Sequence, residues 1–212
     1  MCYSKEVSRN SFIINVISCY ILYNYHSNNK THRIFALFFG FVGLMQLFDW
    51  IFWENQIMNK TNYITTKIAM ISNHIQPIIL GALMYYFNGN LSNNSWIILL
   101  VFSIVIMYYT IDIYNQIDYT LVTERSKPSL DWEWNSKKNA GFVYSVFLST
   151  FIILSLENLV YPMNLLLGFI SVVSFSLASY YYKGVNIGRF WCNGASYIPL
   201  IVLVCSNYLT KL

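Results

Sequence analysis

The stretch IFALFFGFVGLMQLFDWIFW, from Ile34 to Trp53, decides the fold. It runs for 20 residues with one charged side chain, Asp49. As a helix it would be about 30 Å long, which matches the hydrocarbon core of a bilayer. Ile68 to Phe87 repeats the pattern, with His74 as its only ionisable group besides tyrosines. The composition agrees: 56% of the chain is hydrophobic and only 10% charged, against about 25% charged in soluble domains. A water-soluble fold of this size has too little polar surface to cover so much apolar material, whereas a bilayer does not penalise its exposure.

Working outward, further apolar runs predict spans near 11–25, 34–53, 66–87, 95–113, 141–157, 161–182 and 189–209. They are too long for strands and lack the alternation of a membrane barrel. The expected fold is therefore all-α, one integral membrane domain over residues 1–212 with seven transmembrane helices. The sixth span opens at Tyr161-Pro162, where proline suits a first helical turn. The first is the shortest and most polar, with Asn15, Ser18 and Asn24 inside it. After Lys5 and Arg9 it also fits a signal peptide, but Tyr25-His26-Ser27-Asn28 is a poor cleavage site. A retained span is the expectation.

Loop charges give the direction. With seven spans, Lys5, Arg9, Lys60, Lys67, Arg125, Lys127, Lys137, Lys138, Lys183 and Arg189 fall on one side, and Lys30, Arg33 and Lys211 on the other. The positive-inside rule then puts the N-terminus in the cytoplasm and the C-terminus outside or in a lumen. Sequons at Asn29, Asn90 and Asn93 fall in the outer loops and one at Asn59 in an inner loop. The one long loop, 114–140, is cytoplasmic. Its run Asp131-Trp132-Glu133-Trp134 reads either as an interfacial anchor, where indoles prefer to sit, or as a lid or partner contact. Cys2 near the membrane is a candidate for palmitoylation or a plain thiol. No basic run exceeds Lys137-Lys138, which argues against nucleic acid.

Polar groups inside spans are costly and usually face protein or water. Gln46, Asp49, Trp50 and Trp53 are spaced 0, 3, 4 and 7 and share one helix face, with Gly40 and Gly43 above them for a close helix neighbour. They read as an acidic, aromatic half-pocket, or as interfacial tryptophans with a carboxylate reaching the membrane edge. Asn73-His74-Ile75-Gln76-Pro77 concentrates polar groups at mid-depth. Pro77 lacks an N–H, so the Asn73 carbonyl loses its helical partner. His74 would bind solute, relay protons or bond a neighbouring helix. In Trp191-Cys192-Asn193-Gly194-Ala195-Ser196, Pro199 likewise frees the Ala195 carbonyl. Lys67 precedes Pro77 by ten residues and Arg189 precedes Pro199 by ten. A three-one-three division puts these helices at matching positions of two halves, a pattern that points to a transporter's central site.

Several classes are poorly supplied. No lysine between Arg189 and Lys211 offers a retinal Schiff base, and neither Asp-Arg-Tyr nor Asn-Pro-x-x-Tyr occurs. Three histidines, two of them (His26 and His32) in an outer loop, do not make a usual zinc site. There is no Gly-x-Ser-x-Gly. The three-one-three layout resembles the SWEET and PQ-loop sugar transporters in architecture, although Gln76-Pro77 reverses their Pro-Gln dipeptide and their N-terminus is outside. Gln46 to Trp53, Asn73 to Pro77 and Trp191 to Ser196 together look like a group of uncharacterised seven-span proteins of large DNA viruses, a resemblance that implies no activity.

The expected function is that of a carrier or channel-like protein for a small polar solute or ion, with no cofactor or metal. Asp49 would take a cation or proton. Gln46, Asn73, His74, Gln76, Asn193 and Ser196 would bind solute between the walls Trp50, Trp53 and Trp191. The alternative is a receptor-like or scaffolding membrane protein that recruits partners through the 114–140 loop.

Overall fold

The computed structural model describes residues 4–25, 28–122, 130–182 and 194–209. Every named element is helical: α1 Lys5–Tyr25, α2 Lys30–Glu54, α3 Lys60–His74, α4 Gln76–Asn88, α5 Asn93–Tyr114, a 3-10 turn at Glu133–Asn135, α6 Ala140–Asn158, α7 Met163–Tyr182 and α8 Ile198–Leu209. Among the described residues no strand forms; Val122 and Leu130 make one isolated antiparallel bridge. The protein is all-α. Among the described residues, three helices, α2, α5 and α6, are long and apolar enough to cross a membrane, and a fourth crossing results if α3 and α4 count as one span bent by 53°.

Local chemistry explains the boundaries. Helices α2, α3 and α5 each start on a side-chain cap: Asn29 accepts from His32 N (3.2 Å), Asn59 from Asn62 N (2.8 Å) and Ser92 from Ser95 N (3.1 Å). Such oxygens satisfy an N–H that a helix start leaves unpaired. At the end of α4, Gly89 takes the left-handed conformation (φ 84°), open to glycine without a Cβ penalty. Pro77 and Pro199 each stand second in a new helix, after a break at Ile75 and a turn at Ser196–Tyr197. The expected breaks are therefore present. Pro162 falls one residue before α7, with its carbonyl accepting from Leu166 N (3.0 Å), so it caps that helix from outside.

Helix α1 packs along α2 and α8; α2 also meets α3 and α4, while α6 packs on α4, α5 and α7. Phenylalanines join α2, α5 and α6: Phe38 meets Phe151 (5.4 Å), Phe147 stacks on Phe151 (5.0 Å), and Phe102 meets Phe147 edge-on (5.9 Å).

Helix ends gather in two sets. At one end, Lys5 pairs with Glu54 (2.6 Å), Asn62 donates to the carbonyls of Asn55 (2.7 Å) and Thr120 (2.9 Å), and Gln56 accepts from Val122 N (2.8 Å). At the other, Asn88 donates to the Asn158 carbonyl (2.9 Å) and Asn94 to Glu157 (2.8 Å). Helix α5 runs from the second set to the first, a separation of about 33 Å. The first is called the loop end here, the second the far end.

Candidate functional site

Gln46 and Asp49 lie on the buried face of α2, one turn apart, and neither is accessible to solvent. Asp49 is five residues from the loop end of α2, about 8 Å along its axis. Asn73 and His74 arrive from the last turn of α3, where the helix breaks ahead of Pro77, and Gln76 opens α4; all three are buried. The structure thus brings Gln46, Asp49, Asn73, His74 and Gln76 into the protein interior. Trp53 is half-buried against the core, and its indole N–H has no partner among the described residues. Trp50 is half-buried too, but it lines an outer cleft of about 320 Å³ with Leu47, Ile51, Glu54 and Asn55, and donates to Glu54 (3.4 Å). Trp191 and Asn193, like Arg189 and Cys2, lie outside the described residues.

The loop supplies what sequence reading missed. Trp132 and Trp134 are wholly buried, with stacked rings at 5.3 Å. They enter the bundle instead of lying at its rim, so they are not interfacial anchors. The Trp132 indole N–H donates to Asp49 Oδ1 (3.0 Å). The Trp134 carbonyl accepts from the Tyr109 hydroxyl (2.6 Å), and the Tyr109 ring meets His74 at 5.6 Å. His74 Nδ1 is hydrogen-bonded to Thr110 Oγ1 (2.7 Å). The Tyr144 hydroxyl bridges the side chains of Asn73 (2.7 Å) and Asn135. The hydroxyl has one proton to give, so the two amide oxygens share it as acceptors. Four helices and the loop thus meet in one connected polar layer.

Two fastenings hold the loop's root. Thr120 N donates to Asn62 Oδ1 (2.9 Å) and its hydroxyl bonds Thr66 (3.1 Å). Lys67, only 5% exposed, donates to the carbonyls of Tyr114 and Ile117 and pairs with Asp118 at 3.3 Å. It lies over the rings of Tyr63 (5.1 Å) and Tyr114 (4.5 Å). This lysine, expected to anchor a span at the membrane surface, instead caps the C-terminus of α5, where unpaired carbonyls favour a cation.

Ser196 is buried beside α1. Its carbonyl accepts from Asn15 Nδ2 (3.1 Å), and the Ser11 hydroxyl meets the Tyr197 hydroxyl at 2.8 Å. Asn15 ties α1 to the turn that precedes Pro199. Asn15 Oδ1 in turn lies against Gly43, where any Cβ would collide with it. Ser196 thus connects to the layer through Asn15 and Gly43, one turn of α2 from Gln46.

The layer is incompletely bonded. Both amide atoms of Gln46, Nε2 of His74, Nε1 of Trp134 and one side of the Asn135 amide have no partner among the described residues. Among the described residues, Asp49 is the one buried carboxylate and Lys67 the one buried cation there. No group of three metal-ligating side chains comes together among the described residues. The larger lateral groove, about 380 Å³ between α4 and α5, is lined by Ile78, Gly81, Tyr85, Trp96 and Leu99 and holds none of the layer's residues.

A weak sequence signal existed for the missed residues. Tyr144 shares the face of Phe147 and Phe151, and Tyr109 that of Phe102, Ile106 and Ile113, so both read as core aromatics. No protein-family model matches the chain, and no curated protein or solved structure matches it either.

Proposed function

We propose that this chain is a seven-span integral membrane protein that carries a small polar solute or ion, and that the Trp132–Trp134 turn is the inner gate of its site. The observation that carries the reading is the buried, incompletely bonded polar layer at the α3–α4 break, closed over by the loop. Polar groups at such depth are expensive in a membrane and are kept where they act. A helix broken in mid-span persists where neighbours or a cavity satisfy its freed groups. Pro77 and Pro199 occupy the same place in α4 and α8, which agrees with two matched half-sites.

The seven-span topology has its own support. Helices α1 and α7, at 21 and 20 residues, are long enough to cross. Residues expected on one side, Lys5, Lys60, Lys67, Lys137 and Lys138, belong to the loop end, which the positive-inside rule assigns to the cytoplasm. The far end carries Asn90 and Asn93, so glycosylation at either site with none at Asn59 is the expected mapping result. A scaffolding role through the loop is less well supported, because a recruiting segment would present its tryptophans instead of burying them.

In proteoliposomes, Asp49→Asn and His74→Ala should abolish flux while the proteins keep their gel-filtration profile. Trp132→Phe, which keeps the ring but drops the N–H to Asp49, should raise flux by loosening the gate. Normal flux in both Asp49→Asn and His74→Ala would sink the carrier reading.

A further inference from the structure

The unpartnered atoms of the layer belong to three elements: Gln46 on α2, His74 on α3, and Trp134 and Asn135 on the loop. Contacts from Asp49 to His74 run in a chain, and Gln46 stands beside its start. Gln46 lies one turn from Asp49, Asp49 accepts from Trp132, and Trp132 stacks on Trp134. The Trp134 carbonyl accepts from Tyr109, whose ring meets His74. Asn135 joins the same layer through Tyr144 and Asn73. Four incompletely bonded side chains in one buried layer are unusual, since buried polar groups are nearly always paired.

Their chemistry is specific. Gln46 offers both an N–H donor and a carbonyl acceptor, and Trp134 can only donate. The charged groups nearby are already engaged: Asp49 accepts from Trp132, and Lys67 is turned to the end of α5. Among the described residues the layer therefore offers no second carboxylate for a cation and no cation for an anion. The rings of Trp132, Trp134 and Tyr109 add apolar walls.

We propose that the layer is a binding site for a small uncharged solute that presents an oxygen acceptor to the Trp134 and Gln46 N–H groups and a donor to the Gln46 carbonyl, as amides, ureas and polyols do. This rests on the carrier reading above and narrows its substrate class. A group that finds its hydrogen bonds only in this layer is selected against analogues lacking them, because the site's own groups would stay unpaired.

The test uses the full chain in vesicles of phosphatidylcholine and phosphatidylglycerol, wild type and Trp132→Phe. Stopped-flow light scattering follows entry of urea, acetamide and glycerol, with potassium chloride as the ionic probe. At least one neutral solute should enter faster than into protein-free vesicles, while potassium chloride should not. Gln46→Met, which keeps the volume and removes both hydrogen-bonding atoms, should slow that entry by about tenfold. Trp134→Phe, which removes the indole N–H, should slow it in the same direction and keeps the test open should Gln46→Met fail to fold. Salt flux without neutral-solute flux overturns the substrate class and leaves the carrier reading standing. Water flux alone, with every solute excluded, also overturns it. No flux of any probe through wild type or Trp132→Phe overturns the carrier reading and this inference together.

Discussion

At the far end, Glu157 and Asn158 of α6 hold the turn between α4 and α5: Asn94 and Ser92 donate to Glu157, and Asn158 donates to the Ser95 hydroxyl (2.7 Å). At the loop end, a segment 83 residues from Asp49 in sequence enters the bundle and bonds it. The far cluster ranges from part-buried to exposed around a buried Ser95, and no buried side-chain atom of it lacks a partner among the described residues; the loop-end layer is buried and lacks several. Both are polar, yet they do different things. A solvated, saturated cluster is a clasp whose members water can replace. A buried, unsaturated one costs stability, and such costs usually mark function.

Substitutions at the loop end should separate the two most sharply. Trp132→Ala removes a wholly buried indole, its stack on Trp134 and the donor to Asp49, and should cost about 3–5 kcal/mol in unfolding assays in detergent. Lys67→Met should follow at about 2–3 kcal/mol, because it leaves the Tyr114 and Ile117 carbonyls without their charged donor. A loss below that for Trp132→Ala would mean that the loop merely rests on the bundle.

The two close-packed glycines refine the contrast. A Cβ at Gly43 would collide with Asn15 Oδ1, and Asn15 cannot retreat without giving up the Ser196 carbonyl. A Cβ at Gly81 would meet Leu99 Cδ1 at 2.6 Å, the movable tip of a leucine at the lateral groove. Gly43→Ala should therefore cost about 1–3 kcal/mol, and Gly81→Ala clearly less. Equal losses in thermal unfolding would show that the Asn15 bridge carries no special weight.

Much of the helical frame was legible because apolar length and proline placement act locally. Proline removes a backbone donor wherever it stands, so the breaks near Pro77 and Pro199 could be read from residue type alone. The inward face of Gln46 and Asp49 was legible from helical period. The loop was not. Trp132 and Trp134 suit both a membrane rim and a protein core, since an indole finds an apolar body and a polar neighbour in either, and only tertiary contact decides between them. Lys67 misled for a related reason: the C-terminus of α5, which holds it, is 47 residues away in sequence. Asn15 looked like a flaw in a weak span, whereas it donates to the Ser196 carbonyl and ties α1 to the turn before Pro199. In each case the deciding partner lay on another helix, where no local pattern points.

The smallest expected effect lies at the far end. Glu157 accepts from three side chains, Ser92, Asn94 and Ser95, so a count of contacts alone would rank it with Asp49. Its exposure argues otherwise. Water can reach Ser92 and Asn94, the buried Ser95 hydroxyl also meets that of Ser92 (2.9 Å), and an amide oxygen in Glu157→Gln still accepts from Asn94. The cost should stay within about 0.5 kcal/mol, a shift of about 2 °C or less in the unfolding midpoint. Ser92 would continue to cap α5 through Ser95 N, because that bond does not involve Glu157. If Glu157→Gln instead cost as much as Lys67→Met, the far end would hold the bundle as firmly as the loop end does. The distinction between clasp and site would then have to rest on the unpartnered atoms alone.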